Sequence, residues 1–187
     1  MTVLITGHLG LVGSALRRAL LAKSIGSRGL DLIAEGHEHG DVRDLERMHT
    51  AIDSVDGIIH LAAVSRVIWG EQDPARCQQT NVGGLRNVIE AIRSQARPPW
   101  LLFASSREVY GQSPQLPVSE DAPMTPVNVY GRSKVEGERL VTAARAEGLR
   151  TAIVRLSNVY GSTQDHADRV VPAFARAAAA GDALRVE

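Results

Sequence analysis

Val3-Leu4-Ile5-Thr6-Gly7-His8-Leu9-Gly10-Leu11-Val12-Gly13 is the stretch that decides the fold. Its apolar head, Val3 to Thr6, reads as a strand, and from Leu11 to Lys23 the residues Leu16, Ala19 and Leu20 fall on one face of a helix. Between them Gly7, Gly10 and Gly13 permit a tight turn and let backbone approach a pyrophosphate closely. The first turn of the helix, with Leu11 and Val12, adds N–H groups and a dipole that favour an anion. The spacing is Gly-x-x-Gly-x-x-Gly rather than the commoner Gly-x-Gly-x-x-Gly, and alone it would also suit plain packing of a helix on a strand. Asp31, 18 residues beyond Gly13, points to a dinucleotide. A carboxylate at the end of a second strand accepts hydrogen bonds from an adenosine ribose and repels a 2′-phosphate, which favours NAD over NADP, with Arg28 the nearest charge in sequence that could offset it.

Outward from this unit, short apolar runs alternate with longer helical patterns, as in an α/β protein built on a parallel sheet. Strands are expected at Gly29–Ile33, Gly57–Ala62, Trp100–Ala104 and Thr151–Leu156, with a last one at Ala183–Val186. Helices are expected after Asp44, which suits an N-cap, and over Pro74–Ser94, Tyr130–Glu147 and Ala167–Ala180. Pro114, Pro117, Pro123 and Pro126 mark 113–126 as an irregular loop. The 187 residues, 44% of them hydrophobic, suffice for one domain with a real core. Basic and acidic residues number 21 each, so no basic field exists to draw nucleic acid or an anionic membrane. The single cysteine, Cys77, cannot form an internal disulfide, and no apolar run is long enough to span a membrane, which gives a cytoplasmic expectation. Cys77 has no histidine or lysine beside it in sequence and reads as inert. His60, in an apolar strand, reads as a core residue, and Trp69 and Trp100 as packing. His37, Glu38 and His39, with Glu35 and Asp41, crowd one polar loop without the spacing of a metal site, so no metal is expected.

Tyr130-Gly131-Arg132-Ser133-Lys134 supplies the chemistry. With three tyrosines and Lys23 and Lys134 as the lysines, a chance tyrosine four residues before a lysine has odds of about 3%. On a helix the two share a face, and an ammonium beside a phenol favours the phenolate, a base for abstracting a hydroxyl proton.

These segments together resemble the extended short-chain dehydrogenase/reductases of the nucleotide-sugar epimerase/dehydratase family. The resemblance rests on Thr6 to Gly13, Gly40-Asp41-Val42-Arg43-Asp44, His60-Leu61-Ala62-Ala63, Asn81-Val82-Gly83-Gly84, Ser105-Ser106-Arg107-Glu108-Val109-Tyr110-Gly111, Tyr130 to Lys134 and Arg155-Leu156-Ser157-Asn158-Val159-Tyr160-Gly161, in that order. It implies a Rossmann-type doubly wound parallel sheet with helices on both faces, over residues 1–187. It also implies NAD held by Gly7, Gly10, Leu11, Val12, Gly13 and Asp31, adenine met by Asp41 and Val42, and cofactor lined by Leu61, Ala62, Ala63, Asn81 and Ser105. Tyr130 would be the general base, Lys134 would tune it and hold the nicotinamide ribose, and Ser106 would bond the reacting oxygen; Arg107 and Asn158 would lie toward a nucleotide-sugar substrate. A homodimer through the helices around 74–94 and 130–147 is implied by the resemblance alone.

The pattern departs from the family's dehydratases, where an Asp-Glu pair follows the catalytic hydroxyl: here Arg107 stands in place of the Asp and Glu108 remains. An epimerase is the leading expectation. A decarboxylase, dehydratase or reductase of the same family is left open by Glu108, and a catalytically silent NAD-binding sensor is the alternative of another class. Family members carry a smaller C-terminal substrate region, and this sequence ends at Glu187 where it would begin; the expectation is a fragment that binds NAD and turns over little sugar nucleotide.

Overall fold

A computed structural model describes residues 1–162 and 165–184. Its strands are β1 (Thr2–Thr6), β2 (Gly26–Leu30), β3 (Gly57–His60), β4 (Trp100–Ser106) and β5 (Thr151–Leu156), all parallel, in the order β2-β1-β3-β4-β5. From β1 the chain crosses to β2 and then returns over β1 to β3. The direction of winding therefore reverses between β1 and β3, and the loops leaving their C-terminal ends diverge to open a crevice, the usual ligand position in such a sheet.

Right-handed crossovers place α1 (Leu11–Ala22) on one face and α2 (Leu45–Ile52), α5 (Gly84–Arg93) and α6 (Val129–Ala146) on the other. The core lies on the second face. There Leu4, Ile58, Leu101 and Phe103 of the sheet pack against Met48 and Ile52 of α2, Leu85, Ile89 and Ile92 of α5, and Val141 and Ala144 of α6. Leu85, Val88, Ile89 and Ile92 recur at the three- and four-residue spacing of one helix face, which is why α5 docks along its length. Side-chain caps fix the starts of α2 and α6: the Asp44 carboxylate accepts from the Arg47 N–H at 3.0 Å, and the Asn128 amide oxygen accepts from the Gly131 N–H at 2.7 Å.

Several boundaries differ from the sequence expectations, and β4 runs two residues past Ala104 to Ser106. β2 starts at Gly26, three residues earlier than its apolar pattern suggests, because an edge strand pairing Thr2 with Gly26 needs only backbone; Asp31 lies beyond the strand, in a one-residue parallel bridge to His39. β3 stops at His60, where the chain leaves the sheet. The long helix from Pro74 is α4 (Pro74–Gln78), a wide π-type turn at Gln79–Gly83 and α5, and a short α3 (Val67–Gln72) precedes it, its end joined to α4 by Asp73, which caps Arg76. The last helix, α7 (Val170–Ala180), starts later than Ala167. Of the strand expected at Ala183–Val186, Ala183 and Leu184 are irregular and the rest lies outside the described residues. Residues 1–157 form one compact unit and the remainder, with α7, a second. Among the described residues no helix is long and apolar enough to cross a membrane.

Gly137 lets α6 lie close on the sheet: a Cβ there would stand 2.6 Å from Phe103 Cζ and 3.2 Å from Leu85 Cδ2. Alanine would gain about 1 kcal/mol of helix propensity, but overpacking a filled core costs about 1–3 kcal/mol. Gly137→Ala is therefore expected to lower stability, read as an earlier midpoint in urea unfolding at unchanged slope.

Candidate active site

The turn after β1 is built for close approach. Gly7 adopts φ +72°, and a Cβ there would meet Ala62 N at 2.8 Å; a Cβ on Gly13 would stand 2.7 Å from the His8 Cα. The turn is braced by Gly7 N–H donating to Leu30 O at 2.8 Å and Gly10 N–H to Gly7 O at 3.2 Å. Gly10 offers no side-chain cap to α1, so the N–H groups around Leu11 and Val12 face outward at a positive helix end. Across the seam, Ala62 N–H donates to Thr6 Oγ1 at 3.3 Å and Leu61 N–H to Thr6 O at 3.1 Å, which sets Leu61-Ala62-Ala63 against the glycine turn. The Asp31 carboxylate accepts from Leu9 N–H at 3.0 Å and Ile33 N–H at 3.3 Å, so it is drawn to the same turn. Backbone amides, a bare helix start and a carboxylate at the end of β2 fit a dinucleotide.

At the expected adenine end, Val42 is buried beneath Gly84, where a Cβ would stand 2.5 Å from Val42 Cγ2. The Asn87 amide donates to Val42 O at 3.0 Å and Arg43 O at 2.8 Å, tying this loop to α5. Asp41 is gripped by Arg43 at 2.8 and 2.5 Å, and that guanidinium holds its carboxyl below the usual range.

The chemical end lies at the start of α6. Tyr130 and Lys134 are both buried, and the Lys134 Nζ stands 5.6 Å from the Tyr130 ring centroid and 4.9 Å from that of Phe103. Lys134 donates to Ala104 O at 2.8 Å. Burial pushes its ammonium from the ordinary 10.5 to about 8, against a smaller opposing pull from Cys77 and Glu138. Ser106 closes β4 and its Oγ accepts from Glu108 N–H at 3.2 Å. The turn 107–110 packs on the start of α6, where a Gly131 Cβ would lie 2.6 Å from Glu108 O. Glu108 is held by the Asn128 amide at 2.8 Å and by Arg107 at 3.1 Å. Asn158 belongs to the second compact unit.

Two residues expected along the cofactor, Ser105 with a structural role as its other reading, have their side chains engaged within the fold. Ser105 is buried and donates to Glu138 Oε1 of α6 at 2.5 Å. Asn81, carried on the π-type turn, is also buried, with its amide bonded to Val64 O at 3.1 Å, Val64 N–H at 2.7 Å and Ser133 Oγ at 2.9 Å. It ties the segment after β3 to α6. Burial raises the Cys77 thiol in the same cluster.

His60 pairs with Thr6 Oγ1 at 2.8 Å, and burial followed by the Lys134 charge pushes it down to about 3, so it stays neutral. The polar loop that suggested metal ligands is spent otherwise: Glu38 accepts from Arg17 at 2.7 and 2.6 Å, from Gly29 N–H at 2.9 Å, and lies 3.2 Å from the buried His8 Nε2. Among the described residues no group of three His, Cys, Asp or Glu could hold a metal. Sequence reading missed this brace beneath the glycine turn; an acidic residue opposite a histidine inside the turn was the available signal.

Residues 3–186 match the model of the NAD dependent epimerase/dehydratase family. The chain belongs to that family. It is similar to a UDP-glucose 4-epimerase of Lacticaseibacillus casei, 32% identical over 178 residues, covering 88% of this chain and 54% of that one. Its structure is similar to that of Thermus thermophilus UDP-glucose 4-epimerase in complex with NAD, with TM-score 0.85 and 31% identity over 97% of this chain and 64% of that one. It is also similar to a dTDP-glucose 4,6-dehydratase of Streptomyces venezuelae with NAD bound, TM-score 0.86 and 28% identity over 98% and 64%. The chain thus spans about half to two thirds of these relatives. NAD is the cofactor of the family, and the cradle suits it.

Two outcomes are expected. Gly13→Ala removes the room between Gly13 and His8 and should abolish NAD binding by calorimetry. Lys134 carries a lowered value when folded, so between about pH 8 and 10.5 the unfolded chain binds more protons and stability rises with pH. Lys134→Met should therefore stabilise the fold at all pH values below about 8, the gain fading as pH rises to 10.5, measured by urea unfolding across pH.

Proposed function

We propose that the chain supplies the NAD-binding and hydride-transfer part of a nucleotide-sugar epimerase, with sugar recognition drawn from the part of its relatives that it does not span. The observation that carries this reading is the burial of Tyr130 and Lys134 together at the start of α6, against the strand end that bears Ser106. NAD, held by the glycine turn and Asp31, would supply a reversible hydride acceptor for a carbinol carbon. Tyr130 takes the proton of the sugar hydroxyl as its C–H bond breaks, the Ser106 hydroxyl bonds the oxygen as it becomes a ketone, and the Lys134 charge steadies the phenolate. Return of the hydride to the other face of the ketone, with the proton from Tyr130, gives the epimer with no net oxidation.

A dehydratase or decarboxylase is the second reading, favoured by the likeness to a 4,6-dehydratase. Against it stands Glu108, whose carboxylate is engaged by Asn128 and Arg107 and so is poorly placed to take a proton from carbon. A silent NAD sensor would have no use for a buried lysine whose charge opposes folding. A two-fold dimer across α5 and α6 remains part of the proposal on the resemblance alone.

In the whole protein, a screen of sugar nucleotides should yield an epimer of unchanged mass; loss of water or carbon dioxide would favour the second reading. Tyr130→Phe should cut turnover by about 10²–10⁴-fold, the span of general acid–base catalysis, with NAD affinity changed little. Unchanged turnover would remove Tyr130 from the mechanism.

A further inference from the structure

Arg155 near the end of β5 uses every donor it has. A guanidinium carries five N–H groups in a fixed fork. Nε donates to Glu138 Oε1 at 2.9 Å; one terminal nitrogen donates to Glu138 Oε2 at 2.7 Å and Met124 Sδ at 3.4 Å; the other donates to the Tyr110 hydroxyl and to Glu120 O, both at 2.6 Å. The guanidinium also lies 4.9 Å from the Tyr110 ring centroid, and the bond to Glu138 raises Arg155 further above its already high value. Glu138 is itself 4% exposed, sits one helical turn beyond Lys134, and accepts the Ser105 hydroxyl.

The segment 111–126 contains no helix or strand and is mostly exposed. Its ends are drawn together where Thr125 Oγ1 donates to Tyr110 O at 2.9 Å. The Tyr110 hydroxyl donates a longer bond to Glu120 O at 3.4 Å, and the hydrogen bonds of Ser113 with Gln115 and of Ser119 with Asp121 are local. Arg155 therefore joins the far side of this segment to the body of the fold. Ser106 and Glu108 precede the segment, and Asn128 and Tyr130 follow it.

We propose that Arg155, seated on Glu138, is a positioning residue: it fixes segment 111–126 and so sets the placement of Ser106 relative to Tyr130. The fixing of the segment stands on its own; the effect on turnover rests on the epimerase reading. Glu138 gives Arg155 a rigid anionic seat, and Arg155 takes up the carboxylate that would otherwise face Lys134. One guanidinium thus serves both the loop and the lysine.

The test separates positioning from mere stability. Arg155→Met alone leaves Glu138 buried and unpaired and should destabilise the fold. Arg155→Met with Glu138→Met replaces the pair by apolar side chains of similar size, which restores stability in comparable buried pairs, yet removes the two 2.6 Å bonds from Arg155 and leaves Glu120 O only the 3.4 Å bond from the Tyr110 hydroxyl. In the double variant, amide exchange across 111–126 is expected to speed at least tenfold without NAD present, while core amides keep their wild-type protection. Unchanged exchange in 111–126 would overturn the proposal, and so would loss of core protection equal to that of the loop. In the whole protein the double variant should lower kcat at least tenfold with NAD affinity retained; wild-type kcat would overturn the effect on Ser106 and Tyr130. A wild-type protein that turns over no sugar nucleotide would sink the epimerase reading alone, since the exchange result decides the loop.

Discussion

The seam between β1 and β3 governs the whole arrangement. Gly7 turns out of β1 in a left-handed conformation with its Cα pressed on the backbone of Ala62, so two chain segments meet with no side chain between them. Contact of this kind is possible only where glycine stands. It brings two strand ends together where the winding reverses, and leaves the start of α1 bare. The rest of the dinucleotide site is support for that meeting: Asp31 drawn to Leu9, His8 wedged beneath the turn against Gly29, and Glu38 locking Arg17 and Gly29 behind it.

The chemical half is assembled on a different principle. Where the cofactor side uses absence of side chains, the α6 side buries polar groups and satisfies them in pairs. Lys134 meets Ala104 O, Ser105 meets Glu138, and Glu138 meets Arg155. Each buried group costs free energy unless bonded, and these bonds consume carboxylate and hydroxyl partners that sequence alone would leave available for catalysis. Glu108 is the clearest case, its carboxylate committed to Asn128 and Arg107.

Much of this was legible in local sequence because its causes are local. The glycine turn, the Asp44 cap and the pairing of Tyr130 with Lys134 depend on residues a few positions apart, and each recurs in the structure where the spacing puts it. The bonds that Ser105 and Asn81 make to α6 were not legible. Which way a strand residue faces depends on register, and the Asn81 amide direction depends on the π-type turn, a feature with no compositional mark. The seat of Arg155 on Glu138 and the brace of His8 on Glu38 join residues from separate elements, and no periodicity reports such a contact. The start of β2 was missed because backbone pairing at a sheet edge asks little of side chains.

The loop that follows β2 has a further consequence. A strand at the rim of a sheet exposes unpaired N–H groups that can recruit a strand from another molecule. Here the Glu38 carboxylate occupies the outward N–H of Gly29, and the single bridge between Asp31 and His39 occupies the next groups along. A side chain does the work that a neighbouring strand would do. The same carboxylate that steadies the glycine turn thereby also guards the sheet against edge-to-edge aggregation.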